Sequence, residues 1–447
     1  KVVINLAPAD VRKEGSGYDL PIALGLLQAS EQTKMSSLSD YLIMGELSLT
    51  GEIRPIKGAL SMAIEAKKQG IKSLILPKEN AIEAALIEGV SIYAMDNLRD
   101  TIRFLHGRTQ AAVKAPPAQP KTVHYADDFA QIKGQEKAKR AIEIAVAGGH
   151  NLLLVGPPGA GKTMMAKRIP SIMPPMSLSE IIETTQIHSI VGKLSSENPL
   201  ITERPFRALH HSISATALIG GRANPQPGEI SLAHQGVLFL DELPEFQRNV
   251  LELLRQPLEE RKVPISRAHG TVEFPANFLL ISAMNPCPCG YFHHPEKPCT
   301  CKPYQVDRYL HRISGPLLDR IDMHLEVFPL KYPEMFNAKA SESSSSIRER
   351  VIMARDKQNE RFQRHQSIRT NAEMNSEQVK ALCQLDPISS SLLQNAIERL
   401  QLSARAHDRI LKMARTIADL AQSFDIQSKH LAEAITYRNL DRENWSG

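Results

Sequence analysis

The chain has 447 residues, with 54 lysines and arginines against 49 aspartates and glutamates, a formal net charge of +5 with histidines neutral. Hydrophobic residues at 42% and charged residues at 23% exclude wholesale disorder, and the length sets a prior of about three domains at roughly 150 residues each. No apolar run approaches the roughly 20 residues that a bilayer-spanning helix needs, which excludes such a helix.

Aromatic residues are only 5%, so the core must be built mainly from leucine, isoleucine, alanine and valine. The small basic excess permits a polyanionic partner without arguing for one. The chain opens on Lys1 in what reads as the middle of a folded element, so it is expected to be a trimmed piece of a longer protein. No export signal is visible, and four of the five cysteines fall within fifteen positions, which is not disulfide-scaffold spacing; the expected compartment is cytoplasmic.

In chain order, Leu20–Ala29 and Leu60–Lys68 read as helices, and Tyr41–Met44 and Ser73–Leu76 as strands, which predicts a first α/β domain over 1–107. The Ala, Pro and Gln-rich stretch 108–123 reads as a linker partly stiffened by its prolines. A helix at Glu136–Ala147, the strand NLLLV and a glycine loop then open a larger α/β domain over 124–340. A second low-complexity break at Ser341–Ser346 introduces a helical region over 341–447, with apolar residues at helical spacing in Leu392–Leu400, Arg405–Leu420 and Lys429–Tyr437.

Gly156, Pro157, Pro158, Gly159, Ala160, Gly161, Lys162 and Thr163 match G-x-x-x-x-G-K-[ST] after a buried-type strand and before a helix-compatible stretch. Glycines let backbone N–H groups wrap phosphates, a lysine meets the β and γ oxygens, and a threonine ligates Mg²⁺. The competing reading, a chance glycine turn before a helix, loses force in that context. Val237–Leu240 is a second buried strand, closed by Asp241 and Glu242: the first suits the Mg²⁺ shell, and the second can orient an attacking water. These residues imply that the chain hydrolyses ATP or descends from something that did. A third buried strand, Phe278–Met284, ends in Asn285, which suits the γ-phosphate or the water, or else merely ends the strand in a turn. Arg320, Arg405 and Arg409 lie in locally apolar settings; each is either a cation for the equatorial phosphate oxygens or an ordinary ion pair.

Cys287-Pro-Cys289 and Cys299-Thr-Cys301 are two C-x-C pairs flanking a short loop with Gly290, His293 and His294. Four thiolates can close a tetrahedral, structural Zn²⁺ shell. Free thiols, or a histidine replacing one cysteine, are the rival readings.

GPPGAGKT, RPFRALHHSISATALIGG, PGEISLAHQGVLFLDELPEF, AMNPCPCGY, SGPLLDRID and LSARAHDRILKMARTIADL resemble the ComM (YifB-type) magnesium-chelatase-like AAA+ ATPases over nearly the whole chain. The resemblance implies an AAA+ P-loop NTPase core with a helical C-terminal lid. It also implies a homo-hexameric ring of the helix-2-insert clade, shared with replicative helicases of the minichromosome-maintenance type. ATP and Mg²⁺ are the implied cofactors. The implied activity is branch migration on single-stranded and branched DNA, extending recombination in natural transformation, with recombination proteins as candidate partners. By motif matching, Lys162 and Thr163 take the Walker A roles, Asp241 and Glu242 the Walker B roles and Asn285 sensor 1. Arg320 takes the trans arginine finger and Arg405 sensor 2, with Arg409 the alternative for the last.

The first hundred residues resemble the Lon-protease proteolytic domain, a ribosomal protein S5 domain 2-like α/β fold, through NLAPADVRKEGSGYDLPIALGLL and GELSLTGEIRPIKGAL. Lon chemistry needs a serine nucleophile activated by a lysine. Aligned on Lys13-Glu14-Gly15, the nucleophile position falls on Gly17, with Ser16 one place early. The lysine position falls on Leu60, with Lys57 three places early. Both halves of the dyad are missing, and the domain is expected to be a docking or structural module without peptidase activity.

Few aromatics and no lysine run make base stacking a poor main grip on DNA. Ser212–Glu229, with Gly220, Gly221 and Arg222, reads as a mobile loop without a hydrophobic face. Arg261–Gly270, with Lys262, Arg267 and His269, reads as a hairpin tip. The corresponding loops of related helicases line the central pore, so these basic residues are the candidate phosphate contacts, against the reading that they are solvated hairpin charges. Two other functions compete: a magnesium-chelatase ATPase subunit, and an ATP-dependent chaperone or adaptor.

Overall fold

Strands buried on both faces need continuous apolar runs, and such runs build the three central strands of the main sheet. The computed structural model describes residues 3–4, 16–35, 38–115, 125, 127–195, 197–221, 224–267, 270–294, 296–329, 341–363, 368–400 and 403–438. Its largest sheet has five parallel strands in the order Met323–Glu326, Leu152–Val155, Leu279–Met284, Val237–Leu240, Phe206–Leu209. Successive side chains of a strand point to opposite faces, and the packing follows that period of two. Leu152, Leu154, Val237, Phe239, Leu279 and Ile281 enter one core, while Leu153, Val155, Leu238, Leu240 and Leu280 enter the other. The first core also holds the C-terminal helices; Ile410, Met413, Ala414, Ile417 and Ala418 of the helix Ala404–Leu420 pack there with Ala141 and Ala145 of the helix Glu136–Gly148. The chain is thus mixed α/β with a parallel sheet and a helical C-terminal region, an AAA+ architecture.

A separate three-stranded parallel sheet, Tyr41–Ile43, Ser73–Pro77 and Ser91–Met95, forms the N-terminal unit with the helices Asp19–Ala29 and Ala59–Lys68. This unit docks on the larger α/β unit through the helix Leu178–Ile190: Ile182 joins the N-terminal core, Gly58 N–H donates to Ser189 O at 3.2 Å, and Gln186 Nε2 to Ser61 Oγ at 3.2 Å.

Four readings change. Residues 108–115 of the expected linker adhere to the N-terminal unit, because Val113 N–H completes a bond to Ile92 O (2.8 Å) and its side chain joins the core. The serine run is a helix start: Ser343 caps the 19-residue helix Ser344–Phe362, accepting from Ser346 N–H at 3.3 Å, and Ser344 accepts from Phe129 N–H at 2.8 Å. Ser212–Glu229 has a hydrophobic face after all. It carries the helix Ala215–Ile219, whose Leu218 is buried, then the two-residue strands Gly220–Gly221 and Gln226–Pro227. Arg261–Gly270 is more than a tip, since Lys262–Arg267 and Gly270–Pro275 pair antiparallel; Lys262 lies opposite Pro275 at the open end, far along the ribbon from the turn. No helix among the described residues is long and apolar enough to cross a membrane.

Candidate nucleotide site

Three strands of the main sheet end at one edge, and their last residues meet. The strand Leu152–Val155 runs into Gly156, whose N–H donates to Met284 O at 3.1 Å. A Cβ at Gly156 would stand 2.1 Å from Val327 O, so the loop can leave the sheet only on glycine. Gly159 and Gly161 sit at φ +80° and +86°, a left-handed conformation that β-carbons disfavour, and they fold the loop back onto the helix Lys162–Arg168. The first turn of that helix presents N–H groups with no intrahelical acceptor.

Lys162 reaches back across the loop. Its ammonium donates to Gly156 O (2.7 Å), Pro157 O (3.0 Å) and Asn285 Oδ1 (3.3 Å). Burial pulls its pKa down, while the Asp241 and Glu242 carboxylates oppose that shift. Thr163 Oγ1 donates to Asp241 Oδ2 at 2.6 Å. The structure therefore brings Lys162, Thr163, Asp241 and Asn285 together as two hydrogen-bonded pairs, Lys162 with Asn285 and Thr163 with Asp241, carried by adjacent residues at the start of one helix. It fits a Mg²⁺–nucleotide: an ammonium, a hydroxyl–carboxylate pair suited to a hard cation, and free helix N–H groups face one place. ATP would supply the phosphoanhydride, and Mg²⁺ would polarise its terminal oxygens.

Glu242 stands beside this group in a left-handed conformation, φ +52° and ψ +48°, which costs a non-glycine residue about 1–2 kcal/mol. Its carboxylate is mostly exposed and lies 3.6 Å from His211 Nδ1. His211 packs against His210 with ring centroids 4.1 Å apart, and edge-on to Phe246. It is a site neighbour without a motif of its own; the only signal in the sequence is the adjacent pair His210-His211. Glu245, the other acid nearby, is tied to Arg312 at 2.7 Å.

The arginines are placed less simply. Arg320 is 9% exposed; it pairs with Glu259 at 2.5 Å and donates to Pro316 O at 2.6 Å. Arg405 is largely exposed, with Asp319 at 4.0 Å, and Arg409 holds Asp322 at 3.3 Å.

The four clustered cysteines come together. Sγ atoms of Cys287, Cys289, Cys299 and Cys301 all lie within 4.8 Å of one another, with separations of 3.3, 3.7 and 3.5 Å among the first three. Zinc–sulfur bonds of about 2.3 Å in a tetrahedron place sulfurs about 3.8 Å apart, so the set fits the ion. His294 Nδ1 instead accepts from Glu296 and Lys297 N–H groups at 3.1 and 3.0 Å, closing its own turn. Burial raises the Cys287 thiol, whereas Cys289, despite burial, is drawn down to about 5 by N–H groups of Tyr291 and Thr300. The loop touches the nucleotide site: a Cβ on Gly290, at φ +84°, would stand 2.5 Å from Pro158 Cδ.

The two inserts also meet. A Cβ on Gly220 would stand 2.9 Å from Ile265 Cδ1, and one on Gly221 2.8 Å from Arg267 Nη2, so the glycine ribbon lies under the hairpin end. Lys262 pairs with Glu273 at 3.1 Å, both well exposed. Arg222 and His269 lie outside the described residues.

In the N-terminal unit, Ser16 Oγ donates to Glu46 Oε2, Leu60 is fully buried in the core, and Lys57 lies along Gly192 of the ATPase part.

Residues 128–335 match the family described as magnesium chelatase, subunit ChlI; 341–438 match its C-terminal family and 1–80 the family of subunit ChlI of Mg-chelatase. The chain is 46% identical over 444 residues to the uncharacterized protein YifB of Escherichia coli, covering 99% of this chain and 86% of that one. It is 44% identical over 448 residues to the competence protein ComM of Haemophilus influenzae, with the same coverage. Lon protease 2 of Bacillus subtilis is 29% identical over 185 residues, 36% of this chain and 33% of that one. Identity of this extent, on a chain whose P-loop, acidic strand end and helical region assemble as described, shows that the protein belongs to the YifB/ComM-type family of magnesium-chelatase-like AAA+ proteins.

Proposed function

We propose that the protein is an ATP-driven DNA motor that works as a homo-hexameric ring and promotes branch migration in the integration of DNA by homologous recombination during natural transformation. The observation that carries the ATPase part is the convergence of Lys162, Thr163, Asp241 and Asn285 at one sheet edge. Lys162 and the loop N–H groups hold the phosphates, and Thr163 with Asp241 holds the cation. Glu242, strained and exposed, orients the water and accepts its proton. Asn285 ties this arrangement to the lysine. Arg320 would leave Glu259 to meet a neighbour's nucleotide, and Arg405 or Arg409 would sense it from the helical region. Zn²⁺ on the four cysteines would stiffen the loop that rests on Pro158.

The DNA part is supported by the competence protein among the relatives and by the paired inserts. Lys262 and Arg267, repeated around a ring, would grip phosphates without a large net charge. In this reading the N-terminal unit packs or docks and hydrolyses no peptide. The test is the ATPase rate with and without forked DNA, in wild type and in Lys262→Ala with Arg267→Ala. The double variant should keep its basal rate, bind DNA more weakly, and lose about one unit of salt slope per lost contact. A wild-type rate indifferent to DNA sinks the motor reading. The family match to magnesium chelatase favours one alternative, an ATPase subunit serving metal insertion, which predicts no DNA stimulation at all.

A further inference from the structure

The opposite edge of the main sheet carries a second polar site. There the strand Val237–Leu240 begins after Gly236, Leu279–Met284 begins at Leu279, and a cleft of about 50 Å³ opens between the sheet and the helical region. Water needs about 10–15 Å³ of such space, so the cleft has room for a few waters or one tetrahedral oxyanion.

Its charges do not balance. Four arginines line it, Arg204, Arg261, Arg355 and Arg369, against Glu180 and Glu373. Glu180 is spent on Arg204 at 3.2 Å and on Arg369 at 3.6 Å. Glu373 accepts from Arg369 N–H at 2.8 Å and from Asn277 Nδ2 at 3.4 Å. Arg261 and Arg355 each reach one backbone carbonyl, Phe278 O at 3.3 Å and Val146 O at 2.8 Å, and neither lies within ion-pair distance of a carboxylate among the described residues. Arg355 Nε is buried without an acceptor. So is Thr370 Oγ1, on a residue only 6% exposed. Two guanidiniums without an ion-pair partner among the described residues and an idle hydroxyl in one cleft form the complement of an anion. The surroundings feel the excess: burial first, then Lys412, Arg355 and Arg261, hold the neighbouring His150 down to about 4.

We propose that Arg261, Arg355 and Thr370 bind a small oxyanion, of the phosphate or sulfate type, in this cleft. The bound anion ties the helical region to the hairpin. Arg355 belongs to the helix Ser344–Phe362, whereas Arg261 ends the helix Arg255–Glu260 at φ +57° and accepts from Ala276 N–H at 2.8 Å, closing the hairpin base. The site therefore lies between the helical region and the element proposed to grip DNA, and its existence does not depend on that proposal.

The test uses the full chain saturated with ADP and Mg²⁺, so that the nucleotide loop is filled, and labelled inorganic phosphate in equilibrium dialysis at constant ionic strength in chloride. One phosphate per chain beyond the nucleotide is expected, displaced by sulfate and not by an equal concentration of chloride. Thr370→Val, nearly isosteric, should weaken phosphate binding about tenfold. Arg355→Met should abolish it. If Arg355→Met fails to fold, Thr370→Val and Arg261→Met carry the test. Absence of a second phosphate, displacement by chloride alone, or equal binding in all variants overturns the proposal and leaves the cleft to water.

Discussion

The N-terminal unit and the ATPase part are both parallel α/β layers, yet they treat their chemistry-bearing positions in opposite ways. In the ATPase part, polar residues that follow buried strands meet the first residues of a helix: Asp241 with Thr163, Asn285 with Lys162. In the N-terminal unit, the positions that the resemblance to Lon would assign to its dyad are Gly17 and the fully buried Leu60, and the nearby Ser16 is bonded to Glu46. A likeness of fold therefore says nothing about activity until the atoms at the site are named. The contrast can be broken at several points, beginning with the chemistry.

Glu242→Gln keeps the shape and hydrogen-bonding reach of the side chain but not its basicity. Hydrolysis should fall about 10²- to 10⁴-fold, the usual value of a general base, while ATP still binds. Single-turnover hydrolysis alongside nucleotide-binding titration checks both halves. Turnover near the wild-type rate would remove Glu242 from the role, and Glu245 would be a poor replacement because Arg312 holds it at 2.7 Å.

The cysteine loop is next. Elemental analysis of the purified protein should find about one zinc per chain, and Cys287→Ser with Cys301→Ser should lose it and melt at a lower temperature. Because Gly290 rests on Pro158, the variant should also bind nucleotide somewhat less tightly, though by less than it loses in stability. Metal-free wild-type protein with an unchanged melting temperature would leave the thiols without a structural task.

Stability against pH separates the two regions more gently. His150 is fully buried, bonded to Thr416 Oγ1 at 2.8 Å and held near 4 by burial and the surrounding cations. A histidine whose folded pKa is depressed contributes fully above its unfolded value near 6.5. Between that value and about 4, the unfolded chain takes up a proton that the folded chain refuses. Stability should thus fall on acidification, by about 2 kcal/mol from this residue at pH 5, at 1.36 kcal/mol per unit. Buried His324, also held low by burial and by Arg438 and Arg409, adds in the same direction. In residues 1–115 the sole histidine, His106, is exposed, so the N-terminal unit should not share this loss. Urea unfolding at pH 7.5 and 5, with His150→Gln expected to flatten the slope, measures the effect; an unchanged slope would refute the assignment.

What the sequence displayed follows the same division. Motifs of short, fixed spacing were legible: the glycine loop meets the acidic strand end through Thr163 and Asp241, and the four thiols of the paired C-x-C units lie within 4.8 Å of one another. Elements whose meaning depends on distant partners were not. The serine run read as a break because serine is a poor helix former; its role appears only when Ser343 caps a helix and Ser344 meets Phe129. Residues 108–115 read as linker because one valine carries the packing, and the helix that buries Leu218 is only five residues long and runs straight into two glycines. The arginine cleft draws on residues from 204 to 370, and no local pattern could have shown them converging.

The smallest expected effect is the sharpest test of the contrast. Ser16→Ala removes one hydroxyl and its bond to Glu46, at a part-buried place where Glu46 can turn to solvent or to Arg54, 3.8 Å away. A hydrogen bond of that kind contributes about 0.5–1.5 kcal/mol, so the unit should stay folded and the ATPase rate should not move. Peptide hydrolysis should be nil before and after, because the Lon dyad activates its serine with a lysine amine within hydrogen-bond reach. Ser16 meets the Glu46 carboxylate, by nature a far weaker base than an amine, and Lys57 runs along Gly192 at the docking face. The informative measurement is labelling of wild type by a serine-directed phosphonate: an unactivated hydroxyl should react no faster than any surface serine. Selective modification of Ser16, lost in Ser16→Ala and in Lys57→Met, would show that a displaced dyad works here, and the two regions would then differ in substrate rather than in having an active site.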